Sequence, residues 1–252
     1  MASLIKIDLN CDLGEGFGRY SLGQDAAMMQ LVTSANVACG FHAGDPSVIA
    51  RMVALANQHG VALGAHPGYP DLQGFGRRAM GLSPEEIANS VIYQIGALAG
   101  FARVAGMQVV HVKPHGALYN LAALDPAAAR AIAQAVVNFD PELILVGLAG
   151  SELTKAGEAV GLRVASEGFP DRAYLPDGQL MPRSQEGAVI TQPEVVAANA
   201  LRLAREGIII GSEQVRLDTL CLHGDNPGAV ENAKAVRKTL EEAGIEIRPL
   251  EA

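Results

Sequence analysis

At 252 residues with 49% hydrophobic side chains, the chain can fill a large core, and α/β barrels of this length are commonly built as one domain. The 27 acidic and 19 basic residues leave a net charge of −8 with no run of Lys or Arg, which argues against nucleic acid or an anionic membrane as partner. The first apolar run begins by Leu4, too early for a secretory leader, and no apolar stretch of about 18 residues could span a bilayer, so a cytoplasmic location is expected.

The first predicted strand covers residues 4–9. Alternate strand side chains point to opposite faces, so Ile5, Ile7 and Leu9 share one face while Lys6 and Asp8 occupy the other and lead toward Asn10 and Asp12. Next comes NCDLGEGFG (Asn10 to Gly18), with the carboxylates Asp12 and Glu15 among three glycines. It approaches GxGxxG but fails, because position 19 is arginine and no βαβ fingerprint follows; GxxxxGK[ST] is absent as well. A tight strand-to-helix turn with exposed carboxylates is therefore favoured for the segment over a nucleotide loop.

A second strand, 33–39, ends in GFHAGD, which carries His42 and Asp45, and Asp45-Pro46 opens a helix with the stripe Val48, Ile49, Met52, Val53 and Ala56, stopped at Gly60. Asp45 has a second duty as N-cap. The third strand, 61–65, runs into HPGYPD, with His66 and Asp71, and then GFGRR, with Arg77 and Arg78. Guanidinium forks suit phosphate and carboxylate, although any single arginine also serves solubility. Ser83-Pro84 with Glu86 forms a capping box before Ile87, Val91, Ile95 and Leu98, and Gly106 closes that helix.

In the fourth strand, 108–113, Val110 and Val112 oppose His111 and Lys113, with His115 beyond the strand end. A lysine ending a buried strand needs an anionic partner: Glu167 or a carboxylate of the first strand as counter-ion, or a bound anion. Asp125-Pro126 starts a helix with Ala129, Ile132, Ala133 and Val136 inward, and strands at 142–147 and 162–167 follow. Residues 168–191, which include Arg172, form the longest stretch without periodicity and read as a flap over the barrel mouth or a small hairpin. Gln192-Pro193 opens the next helix, which Gly207 stops. In the last strand, 218–223, Leu220 and Leu222 oppose Cys221, His223 and, past the strand, Asp225; Asn226-Pro227 starts the final helix, which ends at Gly244.

Seven alternating strands and helices imply a parallel sheet with right-handed crossovers. Polar inward residues come from most strands and not from one switch point, so an irregular seven-stranded (β/α)7 barrel, in which the odd strand count allows a gap, is expected as a single domain over residues 1–252. Cys11, Cys39 and Cys221 have neither CxxC spacing nor an even count and read as reduced structural thiols, with a catalytic cysteine as the alternative and Cys11 its foremost candidate. A divalent metal could be assembled from Asp12, His66, His115 or His223, yet neither HExxH nor a paired HxxxH fixes one, so no tightly held protein-ligated metal is expected.

The ordered set IDLNCDLGEG, ANVACGFHAGD, GAHPGYPD with GFGRR, VKPHGALYN, EGFPDRAY and LCLHGDNP closely resembles the LamB/YcsF family from residue 5 to about 245. The resemblance implies a barrel related to polysaccharide-deacetylase-like folds. It further implies ATP-dependent hydrolysis of 5-oxo-L-proline to L-glutamate with ADP and phosphate, performed together with 5-oxoprolinase subunits B and C, the Mg2+ being carried by the nucleotide. On that implication Asp12, His66 or His115 is the general base, while Lys113, Arg77, Arg78 and Arg172 neutralise phosphate and oxyanion charge. Asn10, Glu15, His42, Asp45, Glu167, His223 and Asp225 would position substrate, water or nucleotide. Two rival readings stay open at this point: a metal-dependent amidase or carbohydrate deacetylase, and a non-catalytic component that only binds the lactam.

Overall fold

The computed structural model describes residues 5–224 and 228–250. Its strands are β1 (Lys6–Leu13), β2 (Ser34–Ala38), β3 (Ala62–His66), β4 (Val109–Val112), β5 (Ile144–Leu148), β6 (Arg163–Gly168), β7 (Ile208–Ile210), β8 (Glu213–Val215), β9 (Thr219–Cys221) and β10 (Glu246–Ile247). The parallel order β1-β2-β3-β4-β5-β6-β9 closes on itself, because β9 pairs with β6 through Glu167↔Thr219 and with β1 through Asp8↔Thr219, Leu9↔Leu220 and Asn10↔Cys221. The seven-stranded barrel is therefore shut, without the gap that the odd strand count allowed. The β7–β8 ribbon lies outside the ring, and β10 extends β1 at its start.

Helices α1 (Asp25–Met28), α2 (Pro46–His59), α3 (Pro84–Val104), α4 (Gly116–Leu124), α5 (Pro126–Phe139), α6 (Glu152–Ala159), α7 (Pro193–Glu206) and α8 (Ala229–Glu242) connect the strands. Four of the five proline-marked starts stand where expected; Asn226-Pro227 lies outside the described residues, and α8 is helical from Ala229. Ser83 and Glu86 form the reciprocal capping box, and Asp45 accepts from the Ser47 and Val48 N–H groups. Each predicted stripe is buried: Val48, Ile49, Met52, Val53 and Ala56 on α2, and Ile87, Val91, Ile95 and Leu98 on α3. They pack on the outer faces of the strands, against Leu9, Val37, Leu63, Val112, Leu145 and Leu220 in one cluster. Burying each such aliphatic side chain contributes roughly 1.5–3 kcal/mol, so this layer fixes which strand face looks outward and which looks into the lumen.

Two departures from simple alternation shape the lumen. First, β1 runs on to Leu13, so Asn10 and Asp12 stay in strand register behind Asp8 instead of turning away. Second, β3 and β4 slip by one residue: Leu63 pairs with Val109, but Gly64 pairs with His111. This β-bulge leaves Val110 unpaired, and Val110 packs against Ile144, Val146 and Ala165, away from the helix-facing cluster that holds Val109. The expectation that Val110 and Val112 share a face is thereby corrected. His111 fits inward because Gly64 faces it; a Cβ there would lie 2.0 Å from His111 Nε2.

Candidate active site

The strand ends open into a cavity of about 470 Å³, whose lining includes Asp12, Glu15, His66, Lys113, His115, Tyr119 and His223, with Arg77, Arg172 and Arg183 from the surrounding loops. This is the end of a parallel barrel where different strands can each contribute one side chain to a common centre.

Beneath the cavity lies a hydrogen-bonded polar floor. Asp8, buried, accepts from Thr33 and Ser34 on Oδ1 and from Thr219 on Oδ2. Burial raises its carboxyl to about 6 despite those three hydroxyls. Asn10 donates through Nδ2 to Glu167 Oε1 (2.9 Å) and Thr219 Oγ1 (2.7 Å), and its Oδ1 accepts from Asn36 and Lys113. Asn36 also donates to Asp12 Oδ1 at 2.8 Å and accepts from His111 Nε2 at 2.7 Å. Burial brings His111 down to about 3, so its ring is neutral.

Lys113 is the hub. Its Nζ lies 2.7 Å from Glu167 Oε1, 3.1 Å from Asp12 Oδ1, 3.1 Å from Asn10 Oδ1 and 3.1 Å from Cys221 Sγ. An ammonium carries three protons, so four partners leave none over for a substrate. Burial opposes its charge, but the Asp12 and Glu167 carboxylates outweigh that and hold it well above the ordinary lysine range. Both counter-ions that the sequence allowed are therefore present together. Tyr119 completes Glu167 by donating to Oε2 at 2.8 Å.

Asp12 stands at the junction of floor and cavity, with its side chain about one-fifth exposed. Burial pulls its carboxyl up, yet Lys113, joined by His66 in its protonated form, more than reverses this and keeps it well below the usual range. Its Oδ1 is held by Asn36 and Lys113, while Oδ2 faces His66 Nε2 at 3.3 Å.

Backbone carbonyls decide the histidine tautomers. His66 Nδ1 lies 2.7 Å from the Lys113 carbonyl and His115 Nε2 lies 2.9 Å from the Phe75 carbonyl. A carbonyl can only accept, so those nitrogens carry the protons, and His66 Nε2 and His115 Nδ1 present lone pairs to each other at 3.0 Å. His42 stacks on His115 with ring centroids 3.7 Å apart, and Glu15 Oε1 sits 3.4 Å from His115 Nδ1 and 3.7 Å from His42 Nε2. Burial, His42 and His66 push His115 down to about 3, and burial with His66 holds His42 well below its ordinary value. Gly76, at φ 62°, lets the loop from β3 close over the stack: a Cβ there would lie 2.7 Å from His42 Cβ and 2.9 Å from His115 Cδ2. Glu15, His42, His66 and His115 each offer one ligand atom, all within 4.8 Å of one another.

Of the residues singled out in the sequence, Asp12, Glu15, His66, Arg77, Lys113, His115, Arg172 and His223 line the cavity, with Asn10, His42 and Glu167 directly behind them. Asp45 does not reach it: Oδ1 caps α2 and Oδ2 accepts from the Gly18 N–H at 2.7 Å. Arg78 turns instead to Asp71, which it grips through Nε and Nη2. Arg172 lines the wall, but its Nε and Nη2 donate to the Ala188 and Met181 carbonyls, so it braces the 168–191 segment, whose two bridges are Arg172↔Val189 and Tyr174↔Leu180. Asp225 lies outside the described residues. Asn36, Thr219, Tyr119 and Arg183 were not anticipated. The alternation of Ser34 and Asn36 with Ala35 and Val37 was a readable signal for Asn36. Arg183 had none; its Nη2 donates to His223 Nε2 at 2.7 Å, and His223 Nδ1 donates to Asp171 at 2.6 Å.

The family model for LamB/YcsF matches residues 7–252. The chain is 57% identical over 251 residues to a protein of Methylococcus capsulatus named as the A subunit of 5-oxoprolinase, covering 97% of this chain and 95% of that one. It is 53% identical over 248 residues to the protein of the same name from Bacillus subtilis, covering 97% and 96%. The crystal structure of a lactam utilization protein from Thermus thermophilus superposes with a TM-score of 0.91 at 53% identity, over 97% of this chain and 100% of that one. The barrel alone is shared with the catalytic domain of a peptidoglycan N-acetylglucosamine deacetylase from Eubacterium rectale, at TM-score 0.53 and 11% identity over 100% of this chain and 91% of that one. Among the described residues no helix is long and apolar enough to cross a membrane.

Proposed function

The chain belongs to the LamB/YcsF family, and we propose that it is the lactam-handling component of an ATP-dependent 5-oxoprolinase, working with subunits B and C to open 5-oxo-L-proline to L-glutamate. The observation that carries this reading is Asp12, an ionised carboxylate oriented by Lys113 and Asn36 at the floor of a cavity whose rim is cationic. It is joined by full-length identity above one-half to proteins named for that activity.

A five-membered lactam resists water because its amide is resonance-stabilised. Transfer of the ATP γ-phosphoryl group to the amide oxygen makes C5 a better electrophile. Water then adds to C5, the C–N bond breaks as the ring nitrogen takes a proton, and hydrolysis of the resulting acyl phosphate yields carboxylate and phosphate. Asp12 Oδ2, beside His66, receives the proton of the attacking water. Lys113, with every proton engaged, acts as a positioning residue that fixes Asp12 and Glu167. Arg183, braced on His223 and Asp171, and Arg77 supply positive charge for the lactam carboxylate and the phosphoryl group. The 168–191 segment, which places Gln179 to Arg183 on the cavity wall, is the flap of a single-domain barrel.

The test is reconstitution with subunits B and C, following glutamate and ADP together. Asp12→Asn should leave assembly intact and abolish 5-oxoproline-dependent ADP release; turnover within about threefold of wild type would remove Asp12 from the reaction.

A further inference from the structure

We propose that Glu15, His42, His66 and His115 bind one divalent first-row transition ion of the Zn2+ class, a site independent of the lactam reading above. Four observations converge on it.

The first is spacing. Zn–N and Zn–O bonds of about 2.0–2.1 Å in a tetrahedron put ligand atoms roughly 3.3 Å apart. His66 Nε2 to His115 Nδ1 is 3.0 Å, His115 Nδ1 to Glu15 Oε1 is 3.4 Å and Glu15 Oε1 to His42 Nε2 is 3.7 Å. These three separations match tetrahedral edges, and all four atoms lie within 4.8 Å of one another.

The second is proton direction. The Lys113 and Phe75 carbonyls fix the tautomers of His66 and His115 so that two lone pairs point at each other. Facing lone pairs repel unless a cation lies between them. A carbonyl on the distal nitrogen of a histidine is also the usual support of a metal-bound imidazole.

The third is an orphan. His42 is fully buried, yet neither of its ring nitrogens makes a hydrogen bond. Leaving such a group unsatisfied costs about 1–3 kcal/mol, and coordination through Nε2, the nitrogen that faces Glu15, removes that cost for one of the two.

The fourth is donor chemistry. Three imidazoles and one carboxylate suit Zn2+ and its neighbours and do not suit Mg2+ or Ca2+, which take oxygen. The sequence offered no such motif because the four ligands come from four separate strand ends: His66 closes β3, and Glu15, His42 and His115 follow β1, β2 and β4. Asp12 Oδ2, 3.3 Å from His66 Nε2, borders the site and keeps its place as proton acceptor.

The rival occupant is a proton shared between His66 and His115. Zinc content is measured by mass spectrometry on the full chain purified without chelator, and Zn2+ or Co2+ is titrated calorimetrically into EDTA-stripped protein. Near one equivalent per chain is expected, with Co2+ giving the visible absorption of a low-coordinate histidine site. His42→Ala and Glu15→Gln should each lose at least tenfold in affinity, while His59→Ala, on the exposed end of α2, should lose none. Circular dichroism of the stripped variants separates lost ligation from lost fold, and the wild-type stoichiometry and Co2+ spectrum decide even if a variant fails to fold. The proposal is overturned if wild type binds less than 0.1 equivalent, on the order of background, or binds no tighter than His42→Ala. Imidazole nitrogen resonances that report a shared proton and do not move when Zn2+ is added would overturn it equally.

Discussion

Lys113 Nζ lies 2.7 Å from Glu167 Oε1 in a place where neither side chain is more than 3% exposed. Removing one partner of such a pair leaves a buried charge with no compensation, which costs about 3–5 kcal/mol. Lys113→Met should therefore lower the melting temperature by roughly 10 °C and abolish turnover, because Asp12 loses its orientation too. The double variant Lys113→Met/Glu167→Gln should regain much of the stability and none of the activity. Calorimetric melts and coupled assays on both proteins check this; equal losses of stability in the single and double variants would show that the ion pair is not what holds the floor.

Asp8 gives a pH signature of opposite sign to the usual carboxylate. Its folded pKa, about 6, stands above the ordinary value of 3.8 because burial disfavours the charge, with Glu167 adding to the rise. The folded state thus holds the proton more tightly than the unfolded state. The associated stability is fully present below the unfolded pKa and is lost as pH rises through about 6, a difference on the order of 3 kcal/mol. Asp8→Asn cannot titrate, so the stability of wild type relative to this variant should fall by about that amount between roughly pH 4 and 7. Urea unfolding at a series of pH values measures the difference directly, and a constant offset would contradict the raised pKa.

The barrel was legible because its signals are local. Proline at helix starts, glycine at helix ends and apolar runs of strand length each depend on a few adjacent residues, and α2, α3, α5 and α7 start where those signals put them. Strand parity likewise placed Asp8, His111, Lys113 and Cys221 in the lumen. Parity failed at Val110, where a bulge adds a residue without any mark in β4 itself; the register shifts at Gly64 on the neighbouring strand, where the missing Cβ leaves room for His111. Pairing between distant residues is equally silent in a sequence. The need of Lys113 for an anion pointed to Glu167 or a first-strand carboxylate, but nothing announces that both will bind it together with Asn10 and Cys221, and nothing near Arg78 announces that Asp71 will claim it.

The Gly64–His111 contact is open to a double-mutant cycle. A Cβ at position 64 would sit 2.0 Å from Nε2 of His111, so Gly64→Ala must expel the ring or split β3 from β4. The single variant should lose about 1–3 kcal/mol, as overpacked cores do. His111→Ala should also destabilise, since it leaves Asn36 Oδ1 without its donor. Combined, the two substitutions should cost less than the sum of their separate effects by at least about 1 kcal/mol, because the new methyl fills space vacated by the ring. Additivity in chemical denaturation would mean that the bulge and not the glycine makes room for His111.

Arg183 tests whether the cationic rim binds substrate. Its Nη2 donates to His223 Nε2, whose other nitrogen is tied to Asp171, so the guanidinium is held by a chain of three residues rooted in the loop after β6. The side chain remains on the cavity wall, with its further N–H groups available to a carboxylate. A charge-assisted contact made equally in the ground and transition states raises KM when removed and leaves kcat alone. Arg183→Ala in the reconstituted enzyme should therefore raise KM for 5-oxoproline roughly tenfold, about 1.4 kcal/mol, with kcat within a factor of about two. Asp171→Asn, which only loosens the brace, should give a smaller rise in KM with the same unchanged kcat. A fall in kcat without a change in KM for Arg183→Ala would move this arginine from the substrate carboxylate to the phosphoryl group, where charge develops only in the transition state.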